Sequence, residues 1–136
     1  MNSRIFSYLV THMMNVYCLS LGLLSTLWGL VLLVPFGTFG NNNLAQYMSA
    51  IAPEPVWGMV AILAGLVMGI GTLKKKRRVV KVGLMTGFLV WGFVFLTYFI
   101  SLPYSTAVVT SGFIVWAHVM PYLTLSGRPD SLDVSY

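Results

Sequence analysis

The chain has 136 residues, the length of one domain, yet 57% of it is hydrophobic and 8% charged, where soluble domains average roughly 25% charge. That composition excludes an ordinary soluble globular domain. The net charge of +5 does not point to nucleic acid, because its source is one basic block between apolar segments rather than a soluble face interleaved with aromatics.

Three stretches carry no Asp, Glu, Lys or Arg: residues 5–53, 55–73 and 82–127, or 49, 19 and 46 residues. One membrane span takes about 20 predominantly apolar residues. The stretches therefore hold at most two spans, one span and two spans. Cys18 is the single cysteine, so no intramolecular disulfide exists, and its apolar surroundings suit a small buried hydrophobe.

In residues 1–15, Ile5, Phe6, Leu9, Val10, Met13 and Met14 recur at helical spacing, with Ser7, Tyr8, Thr11, His12 and Asn15 opposite. This predicts a short amphipathic N-terminal helix, lying on the membrane or leading into the first span. The first span is expected over about 16–34, ended by Pro35. A cleaved signal peptide fits poorly: the one small-residue site, Ala50-Ile51-Ala52, lies well past the apolar run.

Gly37, Gly40 and Asn41-Asn42-Asn43 then mark a loop. Leu44, Tyr47, Met48 and Ile51 form one face of a short helix expected to lie in the membrane interface, with Asn43 as its N-cap. Pro53-Glu54-Pro55 opens the second span, about 56–73, with Glu54 as an outer-loop cap at the anion-favouring helix end.

Ala61, Gly65 and Gly69 recur every four residues in this span, and Gly83 and Gly87 in the third, about 82–100. Such stripes let helices approach closely, and their similar depth predicts that spans two and three pack there as a close antiparallel hairpin. Ser101-Leu102-Pro103-Tyr104-Ser105 is a short outer turn. The fourth span covers about 106–123, with Pro121 weakening its last turn, and a loosely ordered tail occupies 126–136.

Lys74, Lys75, Lys76, Arg77, Arg78 and Lys81 are six of the eight basic residues. Between spans two and three, this block belongs on the cytoplasmic side and attracts anionic lipid. Two spans on either side then place both termini in the cytoplasm. The expected fold is all-α: one integral membrane four-helix bundle over 1–136, multi-pass in a bacterial inner membrane.

Each span carries a tryptophan followed by a small residue: Trp28-Gly29, Trp57-Gly58, Trp91-Gly92 and Trp116-Ala117. The likeness of Leu27–Leu32 to Val90–Phe95 hints at a duplicated two-span hairpin. Inside the spans, His118 is the one firm ionisable candidate, either a proton relay or ligand, or a neutral histidine bonded to a neighbouring helix. No span centre carries a carboxylate, which argues against ion-coupled transport and against the small multidrug exporters. No nucleophile–base pair, phosphate loop or metal-ligand spacing occurs, so neither enzyme activity nor a cofactor or metal is expected.

Trp28-Gly29, Pro35-Phe36-Gly37-Thr38-Phe39, Tyr47, Ala52-Pro53-Glu54, Trp57-Gly58, the basic loop, Trp91 and Ser105-Thr106-Ala107 stand together over residues 28–123. This set resembles small four-span membrane proteins of tailed-bacteriophage genomes, most without an assigned function. The shared motifs are turn prolines, caps and interfacial tryptophans, so the resemblance implies origin and topology more than activity. Three functions compete on sequence: holin-like or envelope-modifying self-assembly, a membrane anchor for a protein partner, and a small channel or carrier lined by Ser20, Ser25, Thr26, Thr86, Thr97, Thr110, Ser111 and His118.

Overall fold

The computed structural model describes residues 3–34 and 43–127, with side chains for 10–34 and 47–127. The charge-poor stretches are helical: α1 is Ser3–Leu33, α2 Asn43–Ile51, α3 Glu54–Leu73, α4 Arg77–Ser101 and α5 Thr106–Ser126. No strand occurs among the described residues. Val10–Leu33 of α1, and the whole of α3, α4 and α5, are long and apolar enough to cross a membrane. The chain is thus a four-span, multi-pass membrane protein by length and composition, its backbone polar groups satisfied within each helix as lipid requires.

Of the two arrangements expected for the N-terminal segment, the structure has the one that leads straight into the first span. Residues 3–33 form one helix, because no proline falls inside it and Asn15 alone costs a helix well under about 1 kcal/mol. At 31 residues it is about 46 Å long against about 30 Å of hydrocarbon, so part of it reaches beyond the bilayer core. The expected stop at Pro35 and the loop chemistry of 35–42 lie outside the described residues, as do Arg128 and the tail from 128.

α1 packs on α3, α3 on α4, and α4 on α5, while α1 and α5 close the ring only sparsely. Successive antiparallel packing brings the start of α1, the α3–α4 turn and the end of α5 to one end. Cys18, Leu21, Met68, Val80, Leu84 and Ala117 form the core there, flanked by Met14, Tyr122 and Leu125. At the other end Met48, Trp91 and Val94 pack with Trp28, Trp57, Phe93, Tyr98, Ile114 and Val115.

The α3–α4 turn has only three residues, Lys74, Lys75 and Lys76; Arg77 and Arg78 already belong to α4. Lys76 N–H donates to the Gly71 carbonyl at 2.8 Å and Lys75 N–H to that of Thr72 at 3.1 Å. These are the paired bonds of a Schellman helix end, with Lys75 at φ 54° in the left-handed position that glycine usually fills. α5 runs past Pro121 to Ser126 without a break. Pro121 has no N–H for the Ala117 carbonyl, but it is fully buried, and packing holds the last turns in place.

Candidate functional site

A close helix crossing lies between α1 and α3, where glycine meets glycine twice. A Cβ at Gly22 would sit 2.9 Å from the Gly65 carbonyl oxygen, and one at Gly58 would sit 2.8 Å from that of Gly29. The two contacts are in antiparallel register, seven residues apart on each helix, as inward faces of two straight helices require. A Cβ on Gly65 would also strike Thr26.

α3 and α4 do pack closely as the expected hairpin, but not through all of the stripe residues. Gly65 faces α1, and Gly69 faces open space. Ala61 and Ala64 are buried. Gly83 backs onto Met68 of α3, Gly71 onto Val80, and Gly87 onto His118 of α5. α3 therefore uses one glycine face for α1 and a different one for α4. Gly22 and Gly29 lie in an apolar run, each four residues from a small hydroxyl residue (Thr26 and Ser25), a small-residue spacing that the expected stripes left out.

His118 is fully buried, 0% exposed. Its Nδ1 lies 2.8 Å from the Ile114 carbonyl of its own helix. A carbonyl only accepts, so Nδ1 carries a proton in this contact, and in the neutral ring Nε2 then keeps the lone pair. Nε2 is enclosed without a hydrogen-bond partner. It rests against Gly87, where a Cβ would come within 2.5 Å of it. The expected bond to a neighbouring helix is absent: α4 offers the imidazole a glycine backbone, which gives room and no donor. His12 is exposed on α1, so the two histidines do not share a site. Among the described residues no group of three His, Cys, Asp or Glu side chains could hold a metal.

The hydroxyls that could line a path are turned inward on their own helices. Ser20, Thr26, Thr86, Thr97, Thr110 and Ser111 each donate to the carbonyl four residues back, at 2.6–2.9 Å. Such back-bonding satisfies a hydroxyl where water is absent. Ser20 and Thr110 are exposed on the outside, while Thr97 and Ser111 are buried. Ser25 accepts from Trp91 Nε1 at 3.3 Å, a bond that ties α1 to α4.

Three of the four tryptophans converge rather than anchor separately. Trp28 and Trp91 rings are 4.8 Å apart, and Trp57 stacks on Phe93 at 4.8 Å and 4°. Trp116 points away, 58% exposed, so the tryptophan–small pairs do not have one common role. Met48 of α2 is 1% exposed in this cluster, while Tyr47 and Ile51 face outward. Trp57 Nε1 is shared between the Met48 carbonyl at 3.1 Å and that of Ala52 at 3.2 Å. Trp57→Phe, which keeps the ring stack but loses the donor, is expected to loosen α2 by about 1–2 kcal/mol. Faster amide exchange confined to residues 43–52 would show it, and unchanged exchange there would count against this tether.

Glu54 opens α3, preceded by Pro53 at the N-cap and followed by Pro55. Pro53 supplies no side-chain cap bond, and Glu54 Oε1 is buried without a partner. The carboxylate thus sits in the first turn of α3, at the end of the helix dipole that favours an anion. Comparison with protein-family models, curated proteins and solved structures found no match to this chain.

Proposed function

We propose that the chain is a small protein of the bacterial inner membrane, with both termini and the basic turn cytoplasmic, that acts by assembling with copies of itself and not as an enzyme. Its mode of action is holin-like or envelope-modifying, in keeping with the resemblance to phage four-span proteins. The observation that carries this reading is α5. Only 22% of its span window is buried, against 33–39% for the other three. Its outward residues Val109, Phe113, Trp116, Met120 and Leu123 are all exposed. They repeat at spacings of four and three, the seam geometry of paired helices, and include the aromatics Phe113 and Trp116. Among the described residues, the hydroxyls that could line a path are bonded back to their own helices, which gives a single copy little polar lining. Membrane permeability, if the protein causes it, then needs several copies, and the single-chain channel is the weakest reading.

The anchor for a protein partner is favoured by one feature, the outward Tyr47 and Ile51 of α2. Oligomeric state in nanodiscs separates the two. Self-assembly predicts a defined oligomer for the wild type that Phe113→Ala/Trp116→Ala reduces to monomer, with abrupt loss of membrane potential on induced expression in a bacterium. A wild-type monomer, or normal growth at high expression, overturns it.

A further inference from the structure

We infer that His118 is a proton-binding site that controls how α5 is held: the neutral ring seats α5 on α4, and a proton on Nε2 releases it at the end of the bundle that carries the basic turn. The inference concerns a single copy of the chain and stands apart from self-assembly.

The seat accepts one form of the ring. Nδ1 is already committed to the Ile114 carbonyl at 2.8 Å, so a second proton goes to Nε2. That atom is enclosed without a hydrogen-bond partner, in a side chain that is 0% exposed. A Cβ on Gly87 would lie 2.5 Å from Nε2 and 2.6 Å from Cδ2, so no water fits between the ring and the α4 backbone either. An N–H added there has no acceptor, and the charge that comes with it has no counter-ion. Both are costly where water is excluded.

The elements around the ring supply no negative charge. On α4, residues 83–91, one turn either side of Gly87, are uncharged. Lys81 lies six residues from Gly87, about 9 Å along the helix, and with Arg77 and Arg78 it adds positive charge from the turn. The core beside Ala117 brings Cys18 of α1, Met68 of α3 and Tyr122 of α5. Thiol and phenol both stay neutral as pH falls from about 7. Tyr17 of α1 is exposed. Glu54, the one acidic residue among the described residues, opens α3 at the end away from the basic turn.

α5 is also the helix with the least to hold it. It packs on α4, touches α1 only sparsely, and has the smallest buried share of the four spans. Residues 102–105 join it to α4 at the outer end, so its far half can swing away about that connection and bring the imidazolium to headgroup water. The closed state then binds one proton fewer than the open one, and falling pH favours the open state. A solvated imidazole titrates at about pH 6.5. Below that value the open-to-closed ratio is expected to rise by up to about tenfold per pH unit.

The test uses the full chain in nanodiscs, with Cys18→Ala removing the native thiol and spin labels on Val82→Cys and Thr124→Cys, two exposed positions near the basic end of α4 and α5. Dilution with unlabelled protein restricts the reading to distances within one copy. At about pH 7.5 one short distance is expected, and a longer one grows in as pH falls through about 6.5 to 4.5. His118→Gln, which cannot take up the proton, keeps the short distance throughout. Glu54→Gln/Asp130→Asn/Asp133→Asn removes the carboxylates that titrate nearby in pH and keeps the transition. If His118→Gln fails to pack at about pH 7.5, the ¹⁵N signals of the His118 ring in the unsubstituted chain decide: the Nδ1–H tautomer is expected in the closed state and imidazolium only in the open one. Opening that persists in a well-packed His118→Gln, loss of the transition in the carboxylate variant, a charged ring in the closed state, or no opening of the wild-type ring down to about pH 4.5 overturns the inference.

Discussion

Gly65→Ala is expected to destabilise the folded bundle by about 2–3 kcal/mol, whereas the same change at Gly69 leaves it within about 0.5 kcal/mol or slightly stabilises it through helix propensity. Both residues are glycines of one helix, four apart and on the same nominal stripe. At Gly65 the added methyl meets the Gly22 carbonyl and Thr26, and at Gly69 it meets nothing within 4 Å. The Gly22 carbonyl belongs to a helix backbone and cannot swing aside as a side-chain end can, so α1 and α3 must separate. The loss then spreads along the crossing to Gly29 and Gly58, which depend on the same separation. In lipid little hydrophobic driving force draws helices together, and close van der Waals contact carries much of the association. Unfolding of the two variants by titration with a denaturing detergent, followed by helix content, gives the comparison. Equal effects at Gly65 and Gly69 would mean that the crossing is not where the stability lies.

The same pair shows what the sequence can and cannot reveal. The four long helices are legible because charge is expensive in lipid, so the positions of Glu54, Lys74, Lys81 and Arg128 divide the chain into membrane-length pieces. The glycine spacing is legible too, but its partner is not. A stripe reports that something comes close; it does not report which helix, since the choice between α1 and α4 is set by rotations of about 100° that single residues do not encode. The Trp57 tether to α2 is hidden for a related reason. A tryptophan near a helix start suits an interfacial anchor as well as a donor to the Met48 and Ala52 carbonyls, and only the chain path through Pro53 decides between them. Arg77 and Arg78 look like loop in the sequence because charge marks the membrane boundary, yet helix does not stop at that boundary when the hydrogen bonds can continue.

His118 is the one intramembrane group that its chemistry singles out, and its seat on Gly87 leads to the second large effect. Gly87→Ala is expected to cost about 2–3 kcal/mol, because the new Cβ would lie 2.5 Å from Nε2 and 2.6 Å from Cδ2 of a ring that is itself fully enclosed. His118→Ala is expected to cost about 3 kcal/mol, from the cavity and the lost bond to the Ile114 carbonyl. The two changes should not add. Once the ring is gone, the methyl introduced by Gly87→Ala has space and partly fills the hole, so the double variant should be about 1.5–2 kcal/mol more stable than the sum predicts. A cycle of four proteins unfolded under one set of conditions measures that coupling. Additivity within about 0.5 kcal/mol would separate Gly87 from His118 and remove the reason for reading the glycine as the seat of the imidazole. A coupling of the expected size makes the pair the device that fixes α5 on α4, since a ring enclosed on every side tolerates no other register. The orphaned Nε2 is then explained in physical terms: a glycine backbone is what lets the ring fit, and it has no side chain with which to donate a bond.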